Sequence, residues 1–245
     1  MSASNAAAIY SRRFFAGQVD GSTRSASVVV PLLLSLLPTK SVIDIGCGLG
    51  AWAAEFSANG VPDVLGVDGD YVDRSQLRIP PDRFFAHDLT EPLQFDRRFD
   101  LAVCLEVAEH LPEWRAGGLV ADLTSLAPCV LFSAAVPGPT GHNHINSQYL
   151  PYWVELFRRH GYEAIDPIRP RIWGNELVDW FYQQNIVLFL APAHGLLTKD
   201  VSKPQSMIHQ QLYEQVRSLE PTLRGLLREL PGAIRRSIRN RLRLP

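Results

Sequence analysis

SVIDIGCGLG, residues 41–50, is an apolar run that breaks into a turn carrying three glycines. Val42, Ile43 and Ile45 suit a buried strand. Gly46, Gly48 and Gly50 suit a turn whose backbone takes positive φ or lies close to another group. The AWAAEFSANG that follows (51–60) reads as a helix stopped by Gly60. Strand, glycine turn and helix form one unit, and the same alternation recurs outward. VLGVDG, RFFAHD and FDLAVCLE read as the second to fourth strands, with a helix over 113–126. CVLFSAAVPG is the fifth strand, and a helix over 149–160 closes at Gly161. YEAIDPI and NIVLFLAP are the last two strands, and 25–37 is a helix leading into the core. Such alternation predicts an α/β fold with a mostly parallel sheet covered by helices on both faces. Ligands of such sheets bind beyond the carboxyl ends of the strands.

The chain has 245 residues, 46% hydrophobic and 20% charged, enough for one α/β domain with a large core. A net charge of -1 gives no global attraction to nucleic acid or to anionic membranes. Three domains of unequal size are expected: an N-terminal arm or lid (1–24), the α/β domain (25–192) and a helical, basic C-terminal extension (193–245). The cysteines Cys47, Cys104 and Cys129 are odd in number and lie in apolar runs, which implies a reducing cytoplasm rather than a disulfide framework. The opening MSASNAAAIYSRRFF lacks the flanked apolar stretch of a signal peptide, and no transmembrane segment is expected. A homodimer is compatible with the sequence, though no self-complementary patch is legible.

Asp44 stands two residues ahead of Gly46. A carboxylate there suits an ammonium group and opposes a pyrophosphate, which separates this turn from dinucleotide turns of similar spacing. Asp68, beside Gly69 at the end of the second strand, is placed to accept both hydroxyls of a ribose. Asp88 after the third strand is placed to accept an adenine amino group, and the Leu89 N–H to meet a ring nitrogen. Cys104 and Leu105 end the fourth strand and would flank the rest of such a ligand. Each aspartate taken singly also reads as a helix or turn cap; three after three successive strands do not.

With these residues, 25–190 resembles the class I S-adenosylmethionine-dependent methyltransferases. The resemblance implies a Rossmann-like seven-stranded sheet whose last strand is antiparallel. It implies S-adenosyl-L-methionine as cofactor, with Asp44, Gly46, Gly48, Asp68 and Asp88 at cofactor-binding positions and Cys47 where small residues are usual. Gln18, Ser22, Arg24 and Ser25 would close over the methionine carboxylate. Arg24 is its natural counter-charge, or else an ordinary surface arginine.

CLEVAEHLPEW (104–114) places Glu106, Glu109 and His110 at spacing i, i+3, i+4, one face of a helical turn. Two carboxylates and an imidazole so placed repel or titrate unless a cation joins them. PGPTGHNHINSQYLPYW (137–153) adds His142 and His144 in a loop at the same sheet edge. Glu106, Glu109, His110 and His144 resemble the metal set of plant small-RNA 2′-O-methyltransferases. The first three also resemble that of ubiquinone-biosynthesis O-methyltransferases. The resemblance implies that the four are ligands of Mg2+ or Mn2+, whose oxygen and nitrogen preferences fit. The metal would acidify an acceptor hydroxyl, with His142 or Glu106 taking its proton. Without metal, His144 would be the general base; the alternative for the histidines is hydrogen bonding within the loop.

The stretch 147–189 resembles methyltransferases of bacterial polysaccharide and glycoside clusters, which implies a sugar or oligosaccharide acceptor. A narrower likeness is to the mycobacterial methylmannose polysaccharide O-methyltransferases. Tyr149, Trp153, Trp173, Trp180 and Tyr182 are candidate flat walls for sugar faces. Trp153, at helical spacing from Leu150, Leu156 and Phe157, fits core packing better. A competing expectation is RNA 2′-O-methylation, with the arginines of PGAIRRSIRNRLRLP (231–245) on phosphates. A solvated tail or a membrane-surface helix accounts for those arginines too, and no RNA-binding module is recognisable. A cofactor-binding scaffold without catalysis would lack the acids and histidines that are present here.

Overall fold

The computed structural model describes residues 12–138, 141, 143–192, 194–198 and 202–218. Side chains of 12–19, 198 and 218 are not part of that description. A long helix, α1 (Arg12–Leu36), precedes β1 (Ser41–Ile45), α2 (Ala51–Ala58), β2 (Asp63–Asp68), β3 (Phe84–Ala86) and β4 (Leu101–Leu105). Then follow α3 (Glu113–Leu126), β5 (Cys129–Ser133), α4 (Leu150–Arg159), β6 (Glu163–Ile165), α5 (Arg169–Ile172), α6 (Trp180–Asn185) and β7 (Val187–Leu190). The seven strands form one sheet in the order β3-β2-β1-β4-β5-β7-β6. β7 runs antiparallel to β5 and β6, and the other pairings are parallel. This is the Rossmann-like fold expected from the alternation, with the strand order reversing between β1 and β4.

Both faces of the sheet are covered. Val42, Leu101, Val103 and Leu105 pack with α1 and α2 through Val29, Leu33, Trp52 and Phe56. Ile43, Ile45, Ala102 and Cys104 pack with α3 and α4 through Leu119, Leu123, Trp153 and Phe157. The strand period of two therefore sends Cys104 and Leu105 to opposite faces.

The helix expected over 25–37 begins at Arg12, passes through Pro31 and ends at Leu36, two residues before Pro38. The small polar run GSTR (21–24), which reads as the end of an arm, lies inside that helix, where it packs closely against Asp179. A Cβ on Gly21 would stand 2.2 Å from Asp179 Oδ2. The buried Ser25 hydroxyl donates to Gly21 O (2.8 Å) and accepts the Asp179 N–H (3.0 Å).

The first compact unit ends at His209, not at 192. Arg169, 1% exposed, explains the extension. Its guanidinium pairs with Asp166 Oδ2 (2.8 Å), and donates to Gln184 O (2.8 Å) and to Gln205 O (2.9 Å). The Asp166 N–H donates to Ser202 O (2.9 Å). A second unit starts at Gln210 with helix α7 (Gln210–Ser218). The basic stretch 231–245 lies outside the described residues. None of the described helices is long and apolar enough to cross a membrane.

Removing Arg169 leaves Asp166 buried without its cation. Arg169→Ala is expected to cost about 3–5 kcal/mol in urea unfolding, and a loss below about 1 kcal/mol would show the pair to be peripheral.

Candidate active site

Gly46, Gly48 and Gly50 all take positive φ, +77°, +55° and +79°. A Cβ at Gly46 would stand 2.3 Å from Val107 Cγ2, so the turn fits under the start of the next loop only without a side chain. The Gly46 and Cys47 N–H groups donate to Val67 O (2.8 and 3.1 Å), binding the turn to β2. The Gly48 N–H donates to Asp68 Oδ2 (2.7 Å). Asp68 Oδ1 accepts the Gly69 N–H (2.6 Å) and a short hydrogen bond from the Tyr71 hydroxyl. Burial raises the Asp68 pKa, and these hydrogen bonds oppose it.

Asp44 is buried, and its Oδ2 has no hydrogen-bond partner. Burial first, and the Asp68 charge second, push its pKa up to about 7. Asp44, Cys47 and Gly48 line a cavity of about 230 Å³ with Leu105 and Glu106. Ser22 of α1 and Asp179 and Tyr182 of the later chain line its other side. The Tyr182 hydroxyl bridges Ser22 Oγ (3.2 Å) and Trp52 Nε1 (3.3 Å), joining α1, α2 and α6 around the cavity.

Other expected cofactor residues do not line this cavity. Asp88 is exposed and caps its own turn, accepting the Thr90 N–H (2.9 Å) and hydroxyl (2.7 Å). Leu89 is buried, and its carbonyl is held by Arg115 Nε (2.9 Å). The Cys104 side chain is fully buried in the layer of α3 and α4, on the far side of the sheet from the cavity that Leu105 lines. Cys47 is half-buried at the cavity, and burial holds its thiol well above the ordinary range. Arg24 lies 3.4 Å from Asp179 Oδ1, so its first counter-charge is a residue of this chain. The Ser25 hydroxyl is used within α1 and at Asp179, as described. The Gln18 side chain and His142 lie outside the described residues.

The acids and imidazoles gather just beyond β4, but not on one helical face. Glu106 takes a left-handed backbone conformation (φ 55°), rare and strained for a side chain of its size. The helical turn spans only Ala108–His110. Glu109, His110 and His144 each offer a ligand atom, and these atoms lie within 4.8 Å of one another. Glu109 is fully buried; its Oε1 accepts the Ala135 N–H (3.1 Å), and its Oε2 has no partner. Burial, then the charge of Glu106, holds Glu109 well above the usual carboxylate range. Burial, then His144, depresses His110 to about 4. The His110 and His144 rings meet edge to face at 4.8 Å.

The loop that brings His144 is docked by Ile145 and Asn146, whose N–H groups both donate to Glu109 O (2.9 and 3.0 Å). A Cβ on Gly141 would stand 2.1 Å from His144 Cε1. Glu106 adjoins Glu109, but its Oε1 accepts from Asn185 Nδ2 (3.2 Å) and its N–H donates to Ser133 O (3.0 Å). Asn185, Asn146 and Asp179 escaped the sequence reading. Asn146, two residues past His144, had a local signal; Asn185 and Asp179 reach the site only through tertiary packing.

A single carboxylate with two imidazoles is a donor set for a divalent transition metal. The partnerless Asp44 oxygen beside a glycine turn is a receptor for a cationic group. Trp173 and Trp180 stand around the His209 ring, with centroids at 5.0 and 6.3 Å.

Residues 22–162 match the model of a family described as a methyltransferase domain. No curated protein matches the chain. Among solved structures, the chain is similar to magnesium protoporphyrin IX methyltransferase (ChlM) from Synechocystis PCC 6803 with bound SAM. The two are 20% identical over 70% of this chain and 80% of that one, with a TM-score of 0.53. The methyltransferase domain of bacterial CtHen1 is 20% identical over 68% of this chain and 98% of its own, with a TM-score of 0.50. DesVI of Streptomyces venezuelae is 14% identical over 76% and 98%, with a TM-score of 0.55. At such identities these likenesses are of fold.

The buried Asp44 has a testable cost. Its folded pKa of about 7 lies above the ordinary value of 3.8. The folded state therefore holds the proton longer, and stability falls as pH rises from about 4 to about 7. Between pH 5 and pH 8 the wild type is expected to lose about 2 kcal/mol more than Asp44→Asn. Equal losses in urea unfolding would show that Asp44 ionises normally.

Proposed function

The chain belongs to the methyltransferase-domain family, and from that premise we propose that it carries the methyl group of S-adenosylmethionine to a hydroxyl of a sugar or oligosaccharide. A divalent cation assists. The observation that carries the reading is the partnerless, buried Oδ2 of Asp44 at the glycine turn, which suits the ammonium end of that cofactor. Asp68 takes the ribose hydroxyls once the Tyr71 phenol turns aside. Glu109, His110 and His144 hold the cation, preferably Mn2+ over Mg2+ because two of the three ligands are imidazoles.

S-adenosylmethionine, when bound, supplies a methyl already activated on a sulfonium. A divalent cation, when bound, supplies a Lewis-acid charge that makes a hydroxyl easier to deprotonate. What the chain itself adds is alignment and a base. Glu106 lines the Asp44 cavity and adjoins Glu109, so it stands between the two groups of residues. Burial raises its pKa, which makes its ionised oxygen a stronger base towards an alcohol proton. Asn185 and Ser133 orient it. His110, held neutral by its depressed pKa, keeps a lone pair available for a cation.

Support for a sugar comes from flat, exposed aromatics near the cluster. Tyr149, 57% exposed, stands between the His144 loop and α4, and Trp114, 72% exposed, is the second residue of α3, four residues after His110. Such faces suit the C–H side of a sugar ring. Trp153 and Tyr182 are buried, which removes them as exposed walls.

Transfer of labelled methyl to neutral oligosaccharides, with and without chelator, tests the reading. Activity is expected to vanish with chelator and to return with Mn2+. His144→Ala is expected to abolish turnover and leave S-adenosylhomocysteine affinity unchanged. Asp44→Ala is expected to weaken that affinity by about 1.5–3 kcal/mol. Chelator-resistant transfer would remove the cation, and transfer to a small RNA in place of oligosaccharides would move the acceptor class. No uptake of S-adenosylmethionine by folded protein would end the proposal.

A further inference from the structure

Glu106, the first residue after β4, is gripped from two neighbouring elements. Ser133, at the end of β5, accepts the Glu106 N–H on its carbonyl and hydroxyl oxygens (3.0 and 3.1 Å). Those bonds hold the left-handed backbone step at φ 55°. Asn185 ends α6 two residues before Val187, which pairs with Phe132 in the antiparallel β5–β7 ladder. That register brings Asn185 to the same sheet edge, where its Nδ2 donates to Glu106 Oε1 (3.2 Å).

The direction of the Asn185 amide is set from behind. An amide can present either end to a neighbour, and only its nitrogen end donates to a carboxylate. The His209 N–H donates to Gln184 Oε1 (2.7 Å). A backbone N–H can only donate, so this bond turns the Gln184 nitrogen towards Asn185. Gln184 Nε2 then donates to Asn185 Oδ1 (3.0 Å), which leaves Asn185 Nδ2 for Glu106. Arg169 holds the Gln184 carbonyl (2.8 Å), so the relay stands on a fixed backbone.

Glu106 adjoins Glu109, and its spacing from Glu109 and His110 led us to expect a fourth ligand. Among the described residues, however, the atoms that converge belong to Glu109, His110 and His144. The difference matters chemically. A carboxylate oxygen bound to a cation has given up the electron pair that would take a proton, so one residue cannot serve well as ligand and base at once. We infer that Asn185 is a positioning residue that holds the Glu106 carboxylate out of the cation's ligand set and so keeps it available as the base. The inference rests on the cation-assisted methyl-transfer reading and deepens it. Without the Asn185 donor, Glu106 turns to the cation and replaces a bound water.

The test measures Mn2+ binding to the full chain by electron paramagnetic resonance of the free ion, with saturating S-adenosylhomocysteine. Asn185→Ala is expected to tighten Mn2+ binding by about tenfold, the scale on which residues around a metal's ligands act. A loosened fold would weaken binding, so the sign separates positioning from damage. The water-proton relaxivity of bound Mn2+ is expected to fall as Glu106 displaces a water. Glu106→Gln in both backgrounds closes a double-mutant cycle, and the gain is expected to disappear in the double variant. Gln184→Met keeps the volume but frees the Asn185 amide to turn, and is expected to tighten Mn2+ binding by a smaller factor. Asn185→Ala binding Mn2+ no tighter than wild type, a gain that survives Glu106→Gln, or an unchanged relaxivity would overturn the inference while wild-type Mn2+ binding leaves the cation reading intact. Absence of Mn2+ binding in wild type and variants alike would end both.

Discussion

Carboxyl groups kept from water at the carboxyl ends of β1, β2 and β4 are what the rest of this structure has to accommodate. Asp44, Asp68 and Glu109 are buried and Glu106 half-buried, and the pKa of each is raised with burial as the largest cause. Ionising such a group costs stability unless hydrogen bonds or cations offset it. Asp68 has three donors within the protein, and Glu106 has Asn185 and Ser133. Asp44 Oδ2 and Glu109 Oε2 have none. Positive charge brought from outside is therefore favoured at two points, one at the glycine turn and one beside the imidazoles.

A sheet that carries such strain at one end needs firm support around it. Two buried arginine–aspartate pairs provide part of that support. Arg115 binds Asp122 and holds the carbonyls of Leu89 and Glu91, which fixes the loop after β3. Arg169 binds Asp166 and holds the chain up to Gln205 against α6. Each guanidinium is spent on backbone carbonyls as well as on its acid, so each ties distant segments together. On the opposite side of the cavity, α1 comes close enough to Asp179 that a Cβ on Gly21 would push the Asp179 carboxylate aside. The 179–185 segment thereby faces α1, the Asp44 cavity and Glu106 together.

Much of this was legible in the chain as written. Strand and helix periods announced all seven strands, and the β-branched run followed by Gly46, Gly48 and Gly50 announced the turn. The carboxylate ahead of that turn separated it from dinucleotide sites. Elsewhere one spelling admits two geometries. Asp88 satisfies a nearby turn, as short acidic side chains commonly do. Cys104 ends a strand next to a cavity-lining leucine, and alternation turns it into the opposite core. GSTR (21–24) reads as the end of an arm because small polar residues are common in loops, whereas close packing of two elements uses the same residues.

The sequence by itself determined the layered α/β architecture, the turn with its acid, and the presence of paired acids and histidines at one edge of the sheet. These follow from periodicity and from residue chemistry within a few positions. Only the tertiary structure decided that Glu109, His110 and His144 converge while Glu106 turns to Asn185. It also decided that Arg24 meets Asp179, and that Asn185 reaches Glu106. Those relations join residues far apart in the chain, or depend on a left-handed backbone step at Glu106, and no local pattern encodes either.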